Sequence, residues 1–212
     1  MSLGMHRATI TPMAPAPYLE TIPVPGSVRF PIELEPPAGF RPEAPETWPR
    51  VEGRLEWVEG RLLYMPPCGD VQQVVAVSVV VVVGVWARQH PEFVVGGNEA
   101  GMLLAGDVRG AEAAVWRRAD RGPLTGGYVR VPPLLAVEVA GREEGERELR
   151  AKARWYLRHG TGLLWLVLPK SREVVVIAPD RERRYGAGER LAAEATLPDL
   201  QPEVDEFFFQ LD

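Results

Sequence analysis

Between residues 133 and 168 a strand, a helix and a second strand follow one another, and this succession constrains the fold more than any other part of the chain. The runs PLLAVEVA at 133–140 and LLWLVL at 163–168 are short, apolar and rich in residues that favour strands. The segment EEGERELRAKARWYLRHG between them is predicted to be a helix, with Arg158 and His159 in its last turn and Gly160 as its cap. Strands interleaved with helices predict a mixed α/β fold around one central sheet.

Other segments supply further strands. The related runs VEGRLEW at 51–57 and VEGRLLY at 58–64 predict a hairpin that turns at Glu59-Gly60. Beyond it, strands are predicted at 93–96 and 100–105, joined by the turn GGNE, and then at 111–117 and 173–179. The final run PEVDEFFFQL predicts a short closing helix or turn.

The valine-rich segment 71–89 has two readings. Its β-branched residues favour a strand, but about nineteen residues without a break exceed the usual strand length. Length decides, so we predict a buried helix that ends near Arg88. Its most apolar window, from Val74 to Trp86, is shorter than the ~20 residues that a membrane-spanning helix needs. We therefore expect no membrane partner.

Proline dominates the beginning of the chain. Residues 1–46 contain prolines at a density that forbids a long helix and leaves only short extended pieces such as 27–34. We predict that 1–46 form an extended arm that wraps the domain or a partner subunit. Residues 47–212 are predicted to form the folded domain.

Composition excludes several classes of function. A single cysteine, Cys68, excludes a disulfide framework and a thiolate metal cluster, and favours the cytoplasm. A net charge of −5 argues against a protein held on nucleic acid by a bulk positive field. The sequence contains no phosphate-binding GxxxxGK loop, no HExxH and no GxSxG, and its histidines, His6, His90 and His159, are scattered.

Two acids lie inside apolar strands. The alternation of LLAVEVA places Glu138 on one face beside alanines, and the run AEAAVW places Glu112 in a similar setting. A buried carboxylate is costly unless it is paired or binds a cation. The small neighbours leave room for an ion or a phosphate.

A lysine follows Glu138 on the predicted helix. The residues Leu149, Lys152, Ala153 and Tyr156 are spaced i, i+3, i+4, i+7, which places Lys152 on the inward stripe. The chain has only two lysines, at 152 and 170, among 24 basic residues. A compact ammonium suits a position beside a scissile phosphate. The alternative is a buried salt bridge between Glu138 and Lys152 that only stabilises the contact of sheet and helix.

These residues resemble a known family. The runs RLEWVEGRLLYMPP, AEAAVWRR and LLAVEVAGREEGERELRAKARWYLRHGTGLLWLVLP are similar to the Uma-type restriction endonuclease family of the PD-(D/E)XK nuclease superfamily, over roughly residues 47–205. The resemblance implies a restriction-endonuclease-like core, in which a central mixed β-sheet is flanked by helices. It further implies a Mg²⁺-dependent endonuclease that hydrolyses the phosphodiester bonds of DNA.

The resemblance also assigns roles to residues. Glu138 matches the acid of the strand motif, and Lys152 matches the lysine that this family carries on the next helix. Glu112 falls where the family has the aspartate of its Pro-Asp pair, and Glu56 matches the glutamate of the early hairpin. Glu56, Glu112 and Glu138 would hold Mg²⁺ (or Mn²⁺), and Lys152 would position or activate a water for in-line attack.

Three positions depart from the family pattern. Ala111-Glu112 replaces Pro-Asp, Val71 stands where a histidine is common, and Gly141 replaces a small polar residue. The longer arm of Glu112 is expected to weaken an octahedral Mg²⁺ site. A second hypothesis is therefore a catalytically degenerate nuclease-fold protein that binds nucleic acid or another protein. A third is a structural protein whose proline-rich arm mediates oligomerisation.

Several charged residues have plain structural interpretations. Glu56 could be the solvent-side residue of its hairpin, Glu112 could be structural, and Glu99 in its glycine-rich turn is predicted to lie on the surface. A homodimer is expected by analogy with nucleases that cut duplexes in pairs. We predict that one face of the helix is solvated and that its arginines pair with its glutamates: Arg142, Arg147, Arg150, Arg154 and Arg158 with Glu143, Glu144, Glu146 and Glu148. The arginines of this face could still contact phosphates.

Overall fold

Within the part of the chain that the structure describes, nine strands form a mixed sheet at the centre of the molecule. The computed structural model describes residues 28–142 and 144–211, with the backbone alone for Asn98. The helices are α1 (Asp70–Gln89), α2 (Arg118–Arg121) and α3 (Glu146–Arg158), and short 3₁₀ helices cover Pro45–Thr47, Val204–Phe207 and Phe209–Leu211. The strands are β1 (Ile32–Leu34), β2 (Arg54–Val58), β3 (Arg61–Met65), β4 (Phe93–Leu104), β5 (Asp107–Arg117), β6 (Leu135–Val139), β7 (Leu163–Leu168), β8 (Glu173–Ala178) and β9 (Arg181–Tyr185).

The strand order is β1-β3-β2-β5-β6-β7-β8-β9, with β4 also paired to β5. Strands β6 and β7 are parallel, and α3 makes the crossover between them. The other pairings among the described strands are antiparallel. The predicted mixed α/β sheet is therefore confirmed.

The sheet forks at β5. One edge of β5 pairs with β4 along almost its whole length. On the opposite edge β5 pairs with β2 at Val108 and with β6 only from Ala113 to Val115. Among the described strands, none pairs with the β5 residues between Val108 and Ala113 on that edge, so β2 and β6 diverge there and leave a gap. This gap positions the site described below.

Helices α1 and α3 cover opposite faces of the sheet. Val79 and Val83 of α1 belong to the apolar cluster that contains Trp165 of β7. Leu149 of α3 belongs to the cluster on the other face, which contains Ala136 of β6. Burying a valine or leucine side chain is worth about 1.5–3 kcal/mol, so these two layers hold the sheet and helices together. The inward stripe predicted for α3 is confirmed, since all four of its residues are buried.

The predicted hairpin is confirmed as β2 and β3. Glu59 and Gly60 both have positive φ, 52° and 77°, as a tight hairpin turn requires. Arg54, Glu56 and Val58 are the buried residues of β2. The alternative that Glu56 lies on the solvent side is therefore wrong, because the inward face of this strand carries the charges.

One predicted turn is wrong. Residues 93–96 and 100–105 do not form two strands joined by GGNE, since β4 runs unbroken from Phe93 to Leu104. Its pairing with β5 shifts register between Gly97 and Ala100, and Glu99 adopts a φ of 58°. The glycines therefore mark a bulge, which absorbs the extra residues while pairing with β5 continues on both sides.

The helix predicted over 71–89 is confirmed, but its full burial is not. Val77, Val81 and Val85 are 56%, 53% and 53% exposed, whereas Val79 and Val83 are fully buried. By length and composition alone α1 could cross a membrane, although 28% of its most apolar window is buried inside the molecule. The absence of a membrane span stays a prediction.

β9 and α2 were not predicted from the sequence. β9 reads RERRY, and four of its five residues are exposed. An edge strand made of charged residues gives no alternating apolar signal, although such residues protect a sheet edge from further pairing. The four-residue helix α2 is shorter than the segment needed to show a helical period.

Candidate active site

Glu138 lies in the fork of the sheet, with no solvent exposure. The Tyr156 hydroxyl donates a hydrogen bond of 2.8 Å to Glu138 Oε1, and Lys152 Nζ donates one of 3.1 Å to Glu138 Oε2. Both donors belong to α3, which begins just after β6 and crosses this face of the sheet. The crossover therefore fixes the orientation of the buried carboxylate.

Lys152 is buried as well, with 5% exposure. Its ammonium also donates a hydrogen bond of 2.9 Å to Glu144 Oε2. Burial alone would lower the pKa of Lys152, but the carboxylates around it, Glu138 foremost, raise that pKa above its ordinary value. Lys152 therefore stays protonated at neutral pH, and it can serve as a fixed positive charge but not as a general base.

Glu112 faces Glu138 across the fork. The register that pairs Ala113 with Val137 places these two glutamates opposite each other. The Val139 amide donates to Glu112 Oε2 at 3.3 Å, and Gln72 Nε2 donates to Glu112 Oε1 at 3.0 Å. Burial, together with the charge of Glu138, raises the pKa of Glu112 to about 8. Most Glu112 side chains are therefore uncharged at pH 7.

Glu56 has the opposite character. It is 2% exposed, and its Oε2 lies 3.4 Å from Arg109 Nη2. Burial would raise the pKa of Glu56, but the charges of Arg109, Lys152 and Arg54 lower it below its usual value. Glu56 Oε1 has no hydrogen-bond partner. The site thus holds one carboxylate that is kept charged and another that is kept neutral.

Arg54 lies among the carboxylates. Its guanidinium is 3.3 Å from Glu144, 3.8 Å from Glu112 and 3.9 Å from both Glu56 and Glu99. Burial would lower the pKa of Arg54, but the charges of Glu56, Glu112, Glu138 and Glu144, with Glu56 foremost, raise it above its ordinary value. Arg54 is therefore a permanent positive charge within the cluster.

The structure brings the four residues Glu56, Glu112, Glu138 and Lys152 into one buried cluster. Sequence reasoning missed several further members: Arg54, Gln72, Arg109, Glu144 and Tyr156. Two of them carried a usable signal, because Arg54 shares the face of Glu56 at a spacing of two and Tyr156 lies four residues after Lys152. The other three carried none, because long-range folding alone brings them to the site.

Glu144 corrects one prediction. It does not lie on a solvated helix face, because it is 9% exposed and binds Lys152 and Arg54. The loop before α3 turns it inward. Solvated pairing is confirmed elsewhere, for Arg147 with Glu148 and for Arg150 with Glu146. Glu143 lies outside the described residues.

Glu99 lies at the rim of the cluster. Its side chain is 48% exposed, as expected of a surface residue, yet it reaches within 3.9 Å of Arg54. Partial burial raises the pKa of Glu99, and the positive charge of Arg54 partly offsets that rise. The β4 bulge supplies this acid, which the predicted turn would have left away from the site.

Two clefts reach the cluster, and both are lined by Arg54 and Glu99. The larger has a volume of about 700 Å³, with Glu112 and Glu144 at its charged end and α1 valines, including Val77, along one wall. The smaller, about 400 Å³, is lined by Arg109 and by the rings of Trp48 and Tyr128. Glu138 and Lys152 line neither cleft, so they lie behind the more accessible residues.

A residue of α1 occupies the space that a side chain at position 141 would need. A Cβ atom at Gly141 would lie 2.3 Å from Gln72 Oε1. The Gln72 carboxamide fills this space and also donates to the Val139 carbonyl at 3.2 Å. Val71, the residue at the usual histidine position, is 46% exposed. Gln72 therefore provides the α1 contact to the acids of the site.

The chemistry of the donors suits a divalent ion, but their arrangement does not. Carboxylate oxygens are the ligands that Mg²⁺ prefers, and Glu56 Oε1 is buried without a partner. Yet no three histidine, cysteine, aspartate or glutamate side chains in the described part of the chain are grouped so that they could hold a metal. Arg54 and Lys152 bind the carboxylates instead. In this conformation the cluster does not fit Mg²⁺.

A mixed sheet flanked by helices, with acids and a lysine meeting at a fork, defines a restriction-endonuclease-like protein. The fold is similar to the crystal structure of a protein from Anabaena variabilis described as a putative nuclease belonging to DUF820. The two share 15% sequence identity with a TM-score of 0.69, over 79% of this chain and 96% of the other.

Residues 42–206 match the Uma2 family, described as "Putative restriction endonuclease", and the chain belongs to that family. The predicted resemblance and the predicted fold are both confirmed. No curated protein is similar enough in sequence to count as a relative. Family and fold together indicate a nuclease-like function.

Proposed function

We propose that this protein is an endonuclease that hydrolyses phosphodiester bonds in DNA, with Mg²⁺ (or Mn²⁺) as a cofactor that requires the carboxylates to rearrange from their present conformation. One observation carries the proposal: Glu138 and Lys152 are buried together at 3.1 Å in the fork of the sheet. They are supported by Tyr156 and lie behind Glu112 and Glu144, which line the larger cleft. Membership of a family described as restriction endonucleases supports the same chemistry.

The protonation states of the site residues suit phosphodiester cleavage. Lys152, protonated and held in place, would stabilise the negative charge that develops on the phosphate oxygens during attack. Glu112, neutral at pH 7, could donate its proton to a phosphate or leaving-group oxygen. Glu138 keeps Lys152 positioned. Each residue thus has a role that follows from its surroundings in the folded chain.

The contacts of Arg54 and two departures from the family pattern favour a second candidate function. Arg54 binds the acids that would receive a metal, and Ala111-Glu112 and Gly141 depart from the family pattern. These features suit a nuclease-fold protein without catalysis, which binds nucleic acid or another protein through its clefts. A homodimer is proposed in either case.

A plasmid-nicking assay tests the two candidates. Supercoiled DNA is incubated with wild type, Lys152→Ala and Lys170→Ala in Mg²⁺, Mn²⁺ or EDTA. Lys170 is the matched control, since it is the only other lysine and is exposed. We expect wild type and Lys170→Ala to nick DNA in the metal buffers, and Lys152→Ala to be at least about 100-fold slower.

Two results would contradict the proposal. Equal rates for Lys152→Ala and wild type would remove Lys152 from the mechanism, provided that circular dichroism shows both to be folded. Absence of cleavage by wild type, on duplex DNA, single-stranded DNA and RNA alike, would favour the non-catalytic candidate. Cleavage of RNA alone would change the substrate but keep the reaction class.

A further inference from the structure

Arg54 contacts acids from four separate parts of the fold. Glu56 belongs to β2, Glu99 to the β4 bulge, Glu112 to β5 and Glu144 to the loop before α3. The guanidinium lies within 4 Å of all four carboxylates. A single side chain of the protein thus occupies the place where acids from different elements converge.

Arg54 is held in the cluster by charge attraction more than by well-formed hydrogen bonds. Only Glu144 accepts a hydrogen bond from its guanidinium, at 3.3 Å. Arg54 Nε and Glu56 Oε1 are both buried without hydrogen-bond partners. A guanidinium usually makes two parallel bonds to one carboxylate, and no carboxylate here receives both. The cluster therefore holds a cation without fitting the shape of a guanidinium.

The balance of charge makes a cation necessary. Glu56, Glu138 and Glu144 are buried beside the protonated Glu112, and without Arg54 only Lys152 and Arg109, among the described cations, would face these three carboxylates. Uncompensated buried charges are strongly unfavourable. A divalent ion added beside Arg54, by contrast, would place four cationic groups within one cluster. Arg54 and a divalent ion are therefore alternatives at this position.

We propose that Arg54 is the resident cation of this acidic cluster, and that a divalent ion binds there only by displacing it. Arg54 lines both clefts and so has open space on either side of the cluster into which its side chain can swing. Glu99, half-exposed at the rim, lies within its reach in that direction. The proposal rests on the proposed function only in the choice of ion.

Metal binding by Arg54 variants tests this proposal. Mn²⁺ is titrated calorimetrically into wild type, Arg54→Gln and Arg54→Lys, with Arg61→Gln as the control from the exposed part of the same hairpin. We expect Arg54→Gln to bind one Mn²⁺ at least about tenfold more tightly than wild type. Arg54→Lys, which keeps the charge, and Arg61→Gln should stay within about threefold of wild type.

A second substitution locates the ion. Adding Glu56→Gln to Arg54→Gln should abolish the gain in affinity, because it removes a carboxylate of the cluster. A gain that survives this change would place the ion elsewhere and overturn the proposal. Equal affinity of Arg54→Gln and wild type would overturn it too. None of these measurements uses DNA cleavage. The proposal about Arg54 can therefore hold even if the protein is not an active nuclease.

If Arg54→Gln is too unstable for calorimetry, thermal unfolding tests the proposal instead. Its melting temperature should rise in millimolar Mn²⁺ by several degrees more than that of wild type, because the ion replaces the lost charge. If the variant is unfolded in EDTA, refolding in Mn²⁺ should restore its far-UV circular dichroism. No restoration, and no extra stabilisation, would count against the proposal.

Discussion

Glu112 and Glu138 lie opposite each other on neighbouring strands, yet their carboxyl groups are held differently. Glu138 accepts hydrogen bonds from a lysine and a tyrosine, whereas Glu112 accepts its own from a backbone amide and from Gln72. Burial and the neighbouring charge of Glu138 both favour the neutral form of Glu112. The proton resides on Glu112, whose pKa is raised to about 8.

The proton on Glu112 predicts a pH-dependent stability. Its pKa is higher in the folded chain than in the unfolded chain, so its stabilising contribution is complete below about pH 4.5 and is lost as pH rises through about 8. Glu112→Gln stays neutral and lacks this loss. Relative to the variant, wild type should lose up to about 1.4 kcal/mol of unfolding free energy per pH unit between pH 5 and 8.

Urea unfolding at pH 5, 6.5, 8 and 9 measures this difference. Glu33→Gln, a substitution of an exposed glutamate on β1, serves as the control and should follow wild type at every pH. Parallel pH profiles for wild type and Glu112→Gln would show that Glu112 is ionised in the folded protein across this range.

At the residue scale, the sequence could predict the residues that share a strand face or a helix stripe. The alternation around Glu138 and the i, i+3, i+4, i+7 stripe through Lys152 were sufficient, because both patterns are local. The roles of Gln72, Arg109 and Glu144 could not be predicted. Their positions depend on how α1, β5 and the loop before α3 meet, and no local pattern specifies that meeting.

Among the elements, α1 shows why a helix can be predicted while its buried face cannot. Its valines occupy both faces, so the sequence has little contrast between inward and outward positions. Length alone favoured a helix over a strand. The β4 bulge shows a related limit, since glycines serve both turns and bulges and only pairing with β5 distinguishes them.

The contact of α1 with the end of β6 can be tested at Gly141. Gly141→Ala places a methyl group where Gln72 Oε1 now lies, 2.3 Å from the new Cβ. The flexible Gln72 side chain should move away and lose its bonds to Glu112 and the Val139 carbonyl. We expect a loss of about 1 kcal/mol in unfolding free energy, measured by urea denaturation.

The double variant Gln72→Ala/Gly141→Ala separates crowding from other effects. Once the carboxamide is gone, the methyl group at 141 meets no close neighbour and should add no cost to that of Gln72→Ala alone. Additive costs for the two substitutions would show that Gly141 matters for a reason other than Gln72.

For the whole molecule, a net charge of −5 provides no bulk positive field to attract nucleic acid. The buried cations Arg54, Arg109 and Lys152 are engaged with carboxylates. Arg50 and Arg142 are the exposed arginines that line the clefts. Any association with DNA should therefore involve few phosphates.

The salt dependence of DNA binding measures the number of phosphates. We expect log K to fall with log of the NaCl concentration with a slope of about −2, since each phosphate contact on duplex DNA contributes roughly −0.9. Fluorescence anisotropy of a labelled duplex between 50 and 300 mM NaCl gives the slope. Arg50→Gln should reduce its magnitude by about 1. A slope steeper than about −5 would reveal an extended basic surface and contradict this expectation.

The attachment of the hairpin to the sheet has a consequence for local opening. β1, β3 and β2 join the remainder of the sheet through one residue pair, Trp57 with Val108. The ion pairs of Arg54 with Glu112 and of Glu56 with Arg109 cross the same boundary. These ion pairs therefore also help to hold β1, β2 and β3 against the rest of the molecule. A ligand that rearranges them would change how often this edge detaches, long before it affected global unfolding.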